Sequence, residues 1–291
     1  MKTNGKWNWM LLAGCMAMAC GCVGNTKTQG NEGMEKDSVR AAVTVQKRQV
    51  EGISVTWLRD NAEDKLMPAS LFAAASDSLV KSLELEAGIP SSISTFWVET
   101  EGVKVLFDAG LGAPESLLPA GLDSIGVKPE DVRYVYLTHF HHDHIGGMLK
   151  GDTAVFSRAE VYASKAEYDG WMKMEAGRRT EVEKLVEAYK GRMHFFEFGD
   201  TLPGKVVALE AVGHTPGHTA YQAGRLLVIG DLIHGAALQL AHPDICASFD
   251  MNPEDAVRTR KRFLQYAKEN GLIMAGMHLP APAILAPPYA F

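Results

Sequence analysis

The chain has 291 residues, 46% of them hydrophobic, which is enough for one large globular domain with a proper core. Its formal net charge is −6 and no basic stripe is present, which argues against nucleic acid as a partner. Of the four cysteines, only Cys246 lies beyond residue 22, so a disulfide within the main domain is excluded.

The N-terminus has the features of a bacterial export signal. A basic head at residues 1–6 precedes an apolar run over residues 7–19, which is too short for a stable membrane span. The segment Leu12-Ala13-Gly14-Cys15 resembles a lipobox, whereas acylation at Cys20 or Cys22 would leave a longer and more typical signal. We therefore expect a lipoprotein-type signal peptide over residues 1–22 and a lipid-anchored protein of the bacterial cell envelope. An ordinary cleaved signal is the alternative.

A polar segment separates this signal from the main domain. Residues 23–49 are rich in Asn, Thr, Lys, Glu and Gly, which predicts a flexible tether, and the domain is predicted to cover residues 50–291. Alternating apolar residues over 51–58 predict the first strand. Residues 59–92 form an irregular apolar insertion, which either shelters a functional site or is a plain surface loop.

Further along, apolar runs and helical patterns interleave, which predicts mixed sheets flanked by helices. A Met and aromatic cluster at Trp171, Met172 and Met174 indicates core, with a substrate wall as the alternative. Asn252 caps a helix that ends at Gly271. The predicted strands are 94–99, 103–108, 132–137, 161–163, 194–198, 206–212, 226–229 and 272–275, and the predicted helices are 165–190 and 252–270.

The segment Thr138-His139-Phe140-His141-His142-Asp143-His144 follows the predicted strand 132–137. His139 and His141 are two residues apart, so an extended backbone points both side chains to the same side. Asp143 and His144 lie just after this pair, where the chain must turn. Their side chains can therefore face a second point, away from the one that His139 and His141 face. Imidazoles together with a carboxylate suit zinc and similar divalent ions.

Three more motifs follow in order, and together they identify a family resemblance. They are Gly213-His214-Thr215-Pro216-Gly217-His218, Ile229-Gly230-Asp231 and Gly276-Met277-His278. With the first motif they resemble the metallo-β-lactamase superfamily, in its dinuclear hydrolase branch, from about residue 50 to the C-terminus. The segments 230–239 and 247–250 are most similar to methyl parathion hydrolase-like and lactonase-like members. The resemblance implies an α/β fold, the αβ/βα sandwich, with two mixed β-sheets flanked by helices and the metal site at the sheet edge.

The resemblance also assigns the ligands residue by residue. It places His139, His141 and His214 on one metal, Asp143, His144 and His278 on a second, and Asp231 between them. The expected cofactors are two Zn²⁺ ions, with Mn, Co or Fe as other options. A bridging hydroxide would attack the substrate, Asp143 would orient it, and Asp108 would be a buried carboxylate supporting the ligands.

The remaining histidines receive other roles. We expect His218 to support its loop and His142 to be exposed, and His194 and His242 carry no motif. His234 is included with Asp143 and Asp231 among the predicted catalytic residues, because it stands where lactonases of this superfamily commonly have a tyrosine. Either it reaches the cleft and contacts substrate, or it is buried behind the ligands; the sequence leaves both open.

These assignments predict a metal-dependent hydrolase of a lactone, carboxylic ester or related ester, a class that includes lactonases, esterases and phosphotriesterases. The alternatives are a mononuclear iron persulfide dioxygenase, a zinc β-lactamase-like amide hydrolase and a non-catalytic binding lipoprotein. Substrate choice is expected to depend on residues 59–92 and 165–180. The expected partner is a small-molecule ester or lactone, with membrane contact only through the lipid anchor, and a homodimer is left open.

Overall fold

The computed structural model describes residues 45–289. Seventeen strands are present among them: β1 (Val45–Val50), β2 (Ile53–Arg59), β3 (Lys65–Met67), β4 (Ile89–Ser91), β5 (Ser94–Thr100), β6 (Val103–Phe107), β7 (Tyr134–Tyr136), β8 (Leu149–Lys150), β9 (Thr153–Ala154), β10 (Glu160–Ser164), β11 (Met193–Phe196), β12 (Thr201–Leu202), β13 (Val206–Glu210), β14 (Thr219–Ala223), β15 (Leu226–Gly230), β16 (Ile273–Gly276) and β17 (Ile284–Leu285). The α-helices of the same residues are α1 (Asp77–Ser82), α2 (Leu118–Ser124), α3 (His142–Ile145), α4 (Lys165–Met172), α5 (Ala176–Ala188), α6 (Ala236–Gln239) and α7 (Pro253–Asn270).

Two mixed sheets form the body of the domain. The first has seven strands in the order β1-β2-β5-β6-β7-β10-β11, antiparallel up to β6 and parallel from β6 to β11. The second has six strands in the order β12-β13-β14-β15-β16-β17, in which only β15 and β16 are parallel neighbours. This is the predicted α/β sandwich of two mixed sheets.

The sheets pack face to face because the inner face of each is apolar. Phe96, Phe107 and Tyr136 of the first sheet share one buried cluster with Tyr221 and Val228 of the second. The opposite face of the first sheet packs under α2 and α5 in a separate cluster. A third, smaller cluster joins the 59–92 insertion to α6. The faces of the sheets are therefore covered, and the loops that follow the strands can meet at one edge of the sandwich.

The structure alters two boundaries of the predicted organisation. Strand β1 pairs antiparallel with β2 along all of its length, so residues 45–49 belong to the sheet and not to the tether. The predicted helix over 165–190 is two helices, α4 and α5, with residues 173–175 between them. The predicted signal peptide and the rest of the tether lie outside the described residues. No helix within residues 45–289 is both long and apolar enough to cross a membrane.

Candidate metal centre

The predicted ligands come from loops that follow strands, and they meet at one edge of the sandwich. The loop after β7 and the short helix α3 carry the first four, and the loop after β13 carries the fifth. The last two stand directly after β15 and just beyond β16. The seven are His139, His141, Asp143, His144, His214, Asp231 and His278.

Three histidines and one carboxylate form the first cluster. The Nδ1 atom of His141 lies 3.0 Å from Nε2 of His139 and 2.9 Å from Nε2 of His214. Oδ2 of Asp231 lies 3.3 Å from Nε2 of His214 and 3.7 Å from Nε2 of His139. The four side chains therefore present nitrogen and oxygen atoms to one point.

The second cluster shares Asp231 with the first. Oδ1 of Asp231 lies 3.1 Å from Nε2 of His144, and its Oδ2 lies 3.0 Å from Nε2 of His278. Asp143 lies slightly further out, with 3.4 Å between its Oδ2 and Nε2 of His278. Asp231 thus stands between the two clusters, as a bridging ligand would.

The donor set fits divalent metal ions. Zinc–nitrogen bonds of 2.0–2.1 Å in a tetrahedron put neighbouring ligand atoms roughly 3.3 Å apart, close to the separations here. Nε2 of His144 and Oδ1 of Asp231 are buried and lack a hydrogen-bond partner among the described residues, although they are near each other. Buried polar atoms without a partner are costly, and a cation between them would remove that cost.

The ring nitrogens that face away from the clusters are occupied. Nδ1 of His144 lies 2.7 Å from Oδ2 of Asp108, which also accepts a 2.7 Å hydrogen bond from the Thr138 hydroxyl. The same hydroxyl lies 3.0 Å from Nδ1 of His139. Such partners fix the tautomer and orientation of metal-binding imidazoles. Asp108 is fully buried; it contacts His144 directly and reaches His139 through the Thr138 hydroxyl, which fits the supporting role that the resemblance implied.

His214 is held by a carboxylate that is itself held by a buried cation. Its Nδ1 lies 2.9 Å from Oδ1 of Asp250, and Oδ2 of Asp250 accepts a 3.1 Å bond from Arg260. Arg260, on α7, is buried and also donates to the carbonyl oxygen atoms of Leu232 and Pro243. This chain of hydrogen bonds fixes the orientation of the His214 ring on the side away from the cluster.

His218 supports Asp231 and lies outside the candidate metal-binding groups. Its Nδ1 lies 3.0 Å from the Ala211 carbonyl, and its Nε2 accepts a 2.9 Å hydrogen bond from the backbone N–H of Asp231. Burial lowers the pKa of His218 to about 3, so the ring is neutral and can accept that bond. The predicted supporting role agrees with this geometry.

The charge state of Asp231 follows from its neighbours. Burial alone would raise its pKa, but the imidazoles around it, led by His144 and His278, hold the pKa well below its usual range. Asp231 is therefore an ionised carboxylate in a buried place. Burial also lowers the pKa of His139 well below its ordinary value, which leaves that ring neutral and able to bind a cation.

His234 lies at the cavity wall and against the bridging residue at the same time. Its Nε2 is 3.2 Å from Oδ2 of Asp231, and its ring stacks on that of His278 with centroids 5.3 Å apart. The backbone N–H of His234 is fixed by Oε1 of Gln239, and the ring contacts Phe249. Burial lowers the pKa of His234 to about 4, so the imidazole is neutral. The ring therefore lines the cavity and is also buried against Asp231, and its contact with substrate stays a prediction.

Two other histidines lie outside the clusters, as predicted. The side chain of His142 is 62% exposed, and its Nδ1 contacts Oε1 of Glu181 at 2.7 Å. His194, on β11, contacts Oε2 of Glu160 at 2.6 Å and stacks on Tyr162. Neither set includes a third metal-binding side chain.

A cavity of about 400 Å³ opens over the metal centre. One wall carries His141, His214 and the other cluster residues; the facing wall comes from the 59–92 insertion and includes Lys65, Leu66, Met67, Pro68 and Leu71. The insertion therefore shelters the site. The segment 165–180 contributes no side chain to the lining of this cavity, and its expected part in substrate choice stays a prediction. Trp171 from that segment is buried and packs edge-on against His141, so it belongs to the core.

Several supporting residues had no signal in the sequence. Glu167, on α4, is a buried carboxylate that accepts hydrogen bonds from the loops on both sides of the first cluster. Arg260 lies on a helix far along the chain from the ligand it supports. Asp250 differs, because it belongs to the segment 247–250 that carried the family resemblance. Nothing else in the sequence indicated a supporting role for it.

Comparison with known proteins agrees with the fold. The sequence model of the metallo-beta-lactamase superfamily matches residues 88–278. Exodeoxyribonuclease WalJ of Streptococcus pneumoniae is 32% identical over 123 residues, which are 42% of this chain and 41% of that protein. The chain thus matches less than half the length of this curated relative.

Two solved structures are similar over most of the chain. AbOPH, a hydrolase of the beta lactamase superfamily, gives a TM-score of 0.75 at 28% identity and covers 84% of this chain and 93% of its own. AidC, a dizinc quorum-quenching lactonase in complex with a product, gives a TM-score of 0.75 at 25% identity and covers 83% of this chain and 92% of its own.

Proposed function

This chain belongs to the metallo-beta-lactamase superfamily, and from that premise we propose that it hydrolyses a lactone, a carboxylic ester or a related ester with the help of two zinc ions. The observation that carries the proposal is the position of Asp231. Its Oδ1 lies 3.1 Å from Nε2 of His144 in the second cluster, and its Oδ2 lies between the clusters, 3.3 Å from Nε2 of His214 in the first and 3.0 Å from Nε2 of His278 in the second. A single carboxylate shared in this way suits a pair of cations, whereas a single ion would use only one cluster.

The residues present divide between the two ions. His139, His141 and His214 would hold one, Asp143, His144 and His278 the other, and Asp231 both. When bound, the ions would supply a water acidic enough to be a nucleophile at neutral pH, and a Lewis acid for the substrate's carbonyl or phosphoryl oxygen. Asp143, which is at the cavity side of its cluster, would accept a hydrogen bond from that water and orient it.

His234 is the residue we assign to the substrate. It lines the cavity, and its ring is neutral because burial lowers its pKa to about 4. A neutral imidazole carries one N–H, and on Nε2 that N–H faces Oδ2 of Asp231 at 3.2 Å. With the Asp231 carboxylate taken up by the ions, the Nε2–H would be available to the substrate's oxygen or to the leaving group, and the stack on His278 would hold the ring in place.

The facing wall supports a substrate with an apolar portion. Leu66, Met67, Pro68 and Leu71 line it, and Phe249 closes the side next to His234. Pockets that bind small molecules are mostly apolar with a few placed polar groups, and this cavity has that character. The dizinc lactonase AidC, which is similar in fold, is consistent with an ester or lactone.

Metal content and turnover test the proposal together. Purified protein loaded with zinc should contain close to two ions per chain by elemental analysis. It should hydrolyse at least one compound in a set of γ-lactones, aryl carboxylic esters and phosphotriesters, and a chelator should abolish that activity until zinc is restored. Full activity in metal-free protein would overturn the mechanism.

The oxidoreductase alternative makes a different prediction. A mononuclear iron persulfide dioxygenase would consume oxygen with a persulfide substrate and would need one iron per chain. We expect no oxygen uptake from either the zinc-loaded or the iron-loaded protein. A zinc β-lactamase-like activity would appear as hydrolysis of β-lactam amides in the same screen, and we expect esters or lactones to react faster.

We also propose, from the sequence of the N-terminal segment, that the protein is exported and anchored in the bacterial cell envelope through an acylated cysteine. Its catalytic domain would then meet small esters or lactones outside the cytoplasm. Membrane contact would be through the anchor alone.

A further inference from the structure

Lys65 places a positive charge in the cavity wall opposite the metal centre. It is the one lysine or arginine among the described residues that lines this cavity, and its side chain is half-buried. The acid next to it in the chain, Asp64, pairs instead with Arg59 at 2.9 Å. Within residues 45–289 no carboxylate lies within ion-pair distance of the Lys65 ammonium. Its charge acts at longer range on Asp143, whose pKa it helps to lower after His144 and His278, and the ammonium itself can pair with a ligand.

The backbone holds Lys65 in a fixed place relative to the centre. Lys65 is paired with Ser91 in the β3–β4 ladder. The hydroxyl of Ser91 lies 3.2 Å from the carbonyl oxygen of His234 and 3.1 Å from that of His278. The strand that carries Lys65 is therefore tied to two residues of the site, and its position does not depend on a free loop.

The direction of the side chain follows from the strand. Residues two apart on a strand point to the same face, so Lys65 shares a face with Met67. Met67 is buried and lines the cavity. Leu66, between them, also lines the cavity and is 52% exposed. A ligand that reaches the metal centre through this cavity passes both the ammonium and the apolar side chains.

We propose that Lys65 makes the cavity selective for lactones or esters that carry a carboxylate close to the bond that is cleaved. This rests on the proposed function and names its substrate class. A half-buried ammonium binds a carboxylate more strongly than an exposed one because water screens it less. The apolar remainder of such a substrate would pack on Met67 and Leu71.

A matched pair of esters tests the assignment in the zinc-loaded, full-length protein. One is the 4-nitrophenyl monoester of glutaric acid, which carries a free carboxylate; the other is its methyl ester, which is neutral. The wild type should prefer the anion. Lys65→Met should lower kcat/KM for the anion by about tenfold, the effect of losing one charged hydrogen bond, and leave the neutral ester unchanged. Lys65→Arg should retain most of the preference.

The control is Lys104→Met, an exposed lysine on β6 that does not line the cavity, and it should change neither rate. Equal loss on both esters in Lys65→Met, or no loss on either, would overturn the assignment.

A binding measurement tests the contribution of Lys65 to ligand affinity independently of hydrolysis. The corresponding pair of 4-nitroanilides, charged and neutral, can be titrated calorimetrically into zinc-loaded protein. Lys65→Met should weaken binding of the charged anilide by about tenfold and leave the neutral one unchanged. Equal affinities of the two anilides for the wild type would refute the role of Lys65, even where the esters are not hydrolysed. Failure to hydrolyse any ester, with this binding preference intact, would refute the proposed function alone.

Discussion

Glu167 and Gly217 fit each other at the junction of the two loops that carry His139, His141 and His214. Oε2 of Glu167 accepts a 2.7 Å hydrogen bond from the backbone N–H of Gly217, while a Cβ on Gly217 would overlap the backbone of Glu167. Oε1 of the same carboxylate accepts a 3.0 Å bond from the backbone N–H of Phe140, which lies between His139 and His141. One buried carboxylate thus fixes the separation of the loops that carry the first cluster.

Gly217→Ala should therefore destabilise the fold and weaken metal binding. The added methyl group must displace α4 or the loop of His214, and overpacking of this kind typically costs about 1–3 kcal/mol. Thermal unfolding of metal-free protein would measure the loss of stability, and competition with a chelator would measure zinc affinity. Gly177→Ala is the control, because a Cβ at that position on α5 meets no atom within 4 Å. A Gly217→Ala protein as stable as this control would contradict the packing argument.

Asp231→Ala should lower the occupancy of both metal positions together. The carboxylate is shared by the two clusters, so its loss removes a ligand from each and leaves the surrounding imidazoles without their counter-charge. We expect elemental analysis to show fewer than two ions per chain and turnover to fall by orders of magnitude. Asp143→Ala should affect one position only. A near-normal rate in Asp231→Ala would remove this residue from the site.

His234→Ala should retain both ions and lose much of kcat, with KM changing less. Removal of one donor that stabilises a transition state typically costs about 10²–10³ in turnover. His234→Tyr restores a donor of the kind lactonases carry, and it should shift preference towards acyl-homoserine lactones. Steady-state kinetics and metal analysis on both variants would separate these effects. Loss of metal in His234→Ala would show that the ring supports Asp231. Unchanged kinetics in both variants would show that His234 contributes only to packing.

The envelope anchor gives a prediction that is independent of the enzyme. Protein extracted from the membranes of a bacterial host should carry a diacylated or triacylated cysteine as its first residue, at Cys15, Cys20 or Cys22. Intact mass spectrometry distinguishes the three positions because each leaves a different mature chain. An unmodified, soluble periplasmic product would refute the anchor and leave the catalytic assignments untouched.

The clustering of the candidate metal-binding side chains could be predicted from the sequence because their positions depend on local rules. A strand ends at a residue that can be located by its apolar pattern, and the side chains that follow it have a limited set of directions. His139 and His141 illustrate this, since their spacing alone points both to one side. The same reasoning failed at β1, where the polar, exposed edge strand of residues 45–49 looks like a tether until its pairing with β2 is seen.

The residues that position those ligands were decided only by tertiary packing. Glu167 is 27 residues from Phe140 and 50 from Gly217, and Asp250 is 36 residues from His214. No local pattern marks a charged residue on a helix as buried, because burial depends on which surface the helix meets. The position of Lys65 also depends on tertiary packing. Lys65 pairs with Ser91, and the Ser91 hydroxyl contacts the carbonyl oxygen of His234, which is 143 residues further along the chain. The sequence therefore determined which candidate metal-binding side chains are present. The packed structure determined which residues hold those side chains in place and which residues face them across the cavity.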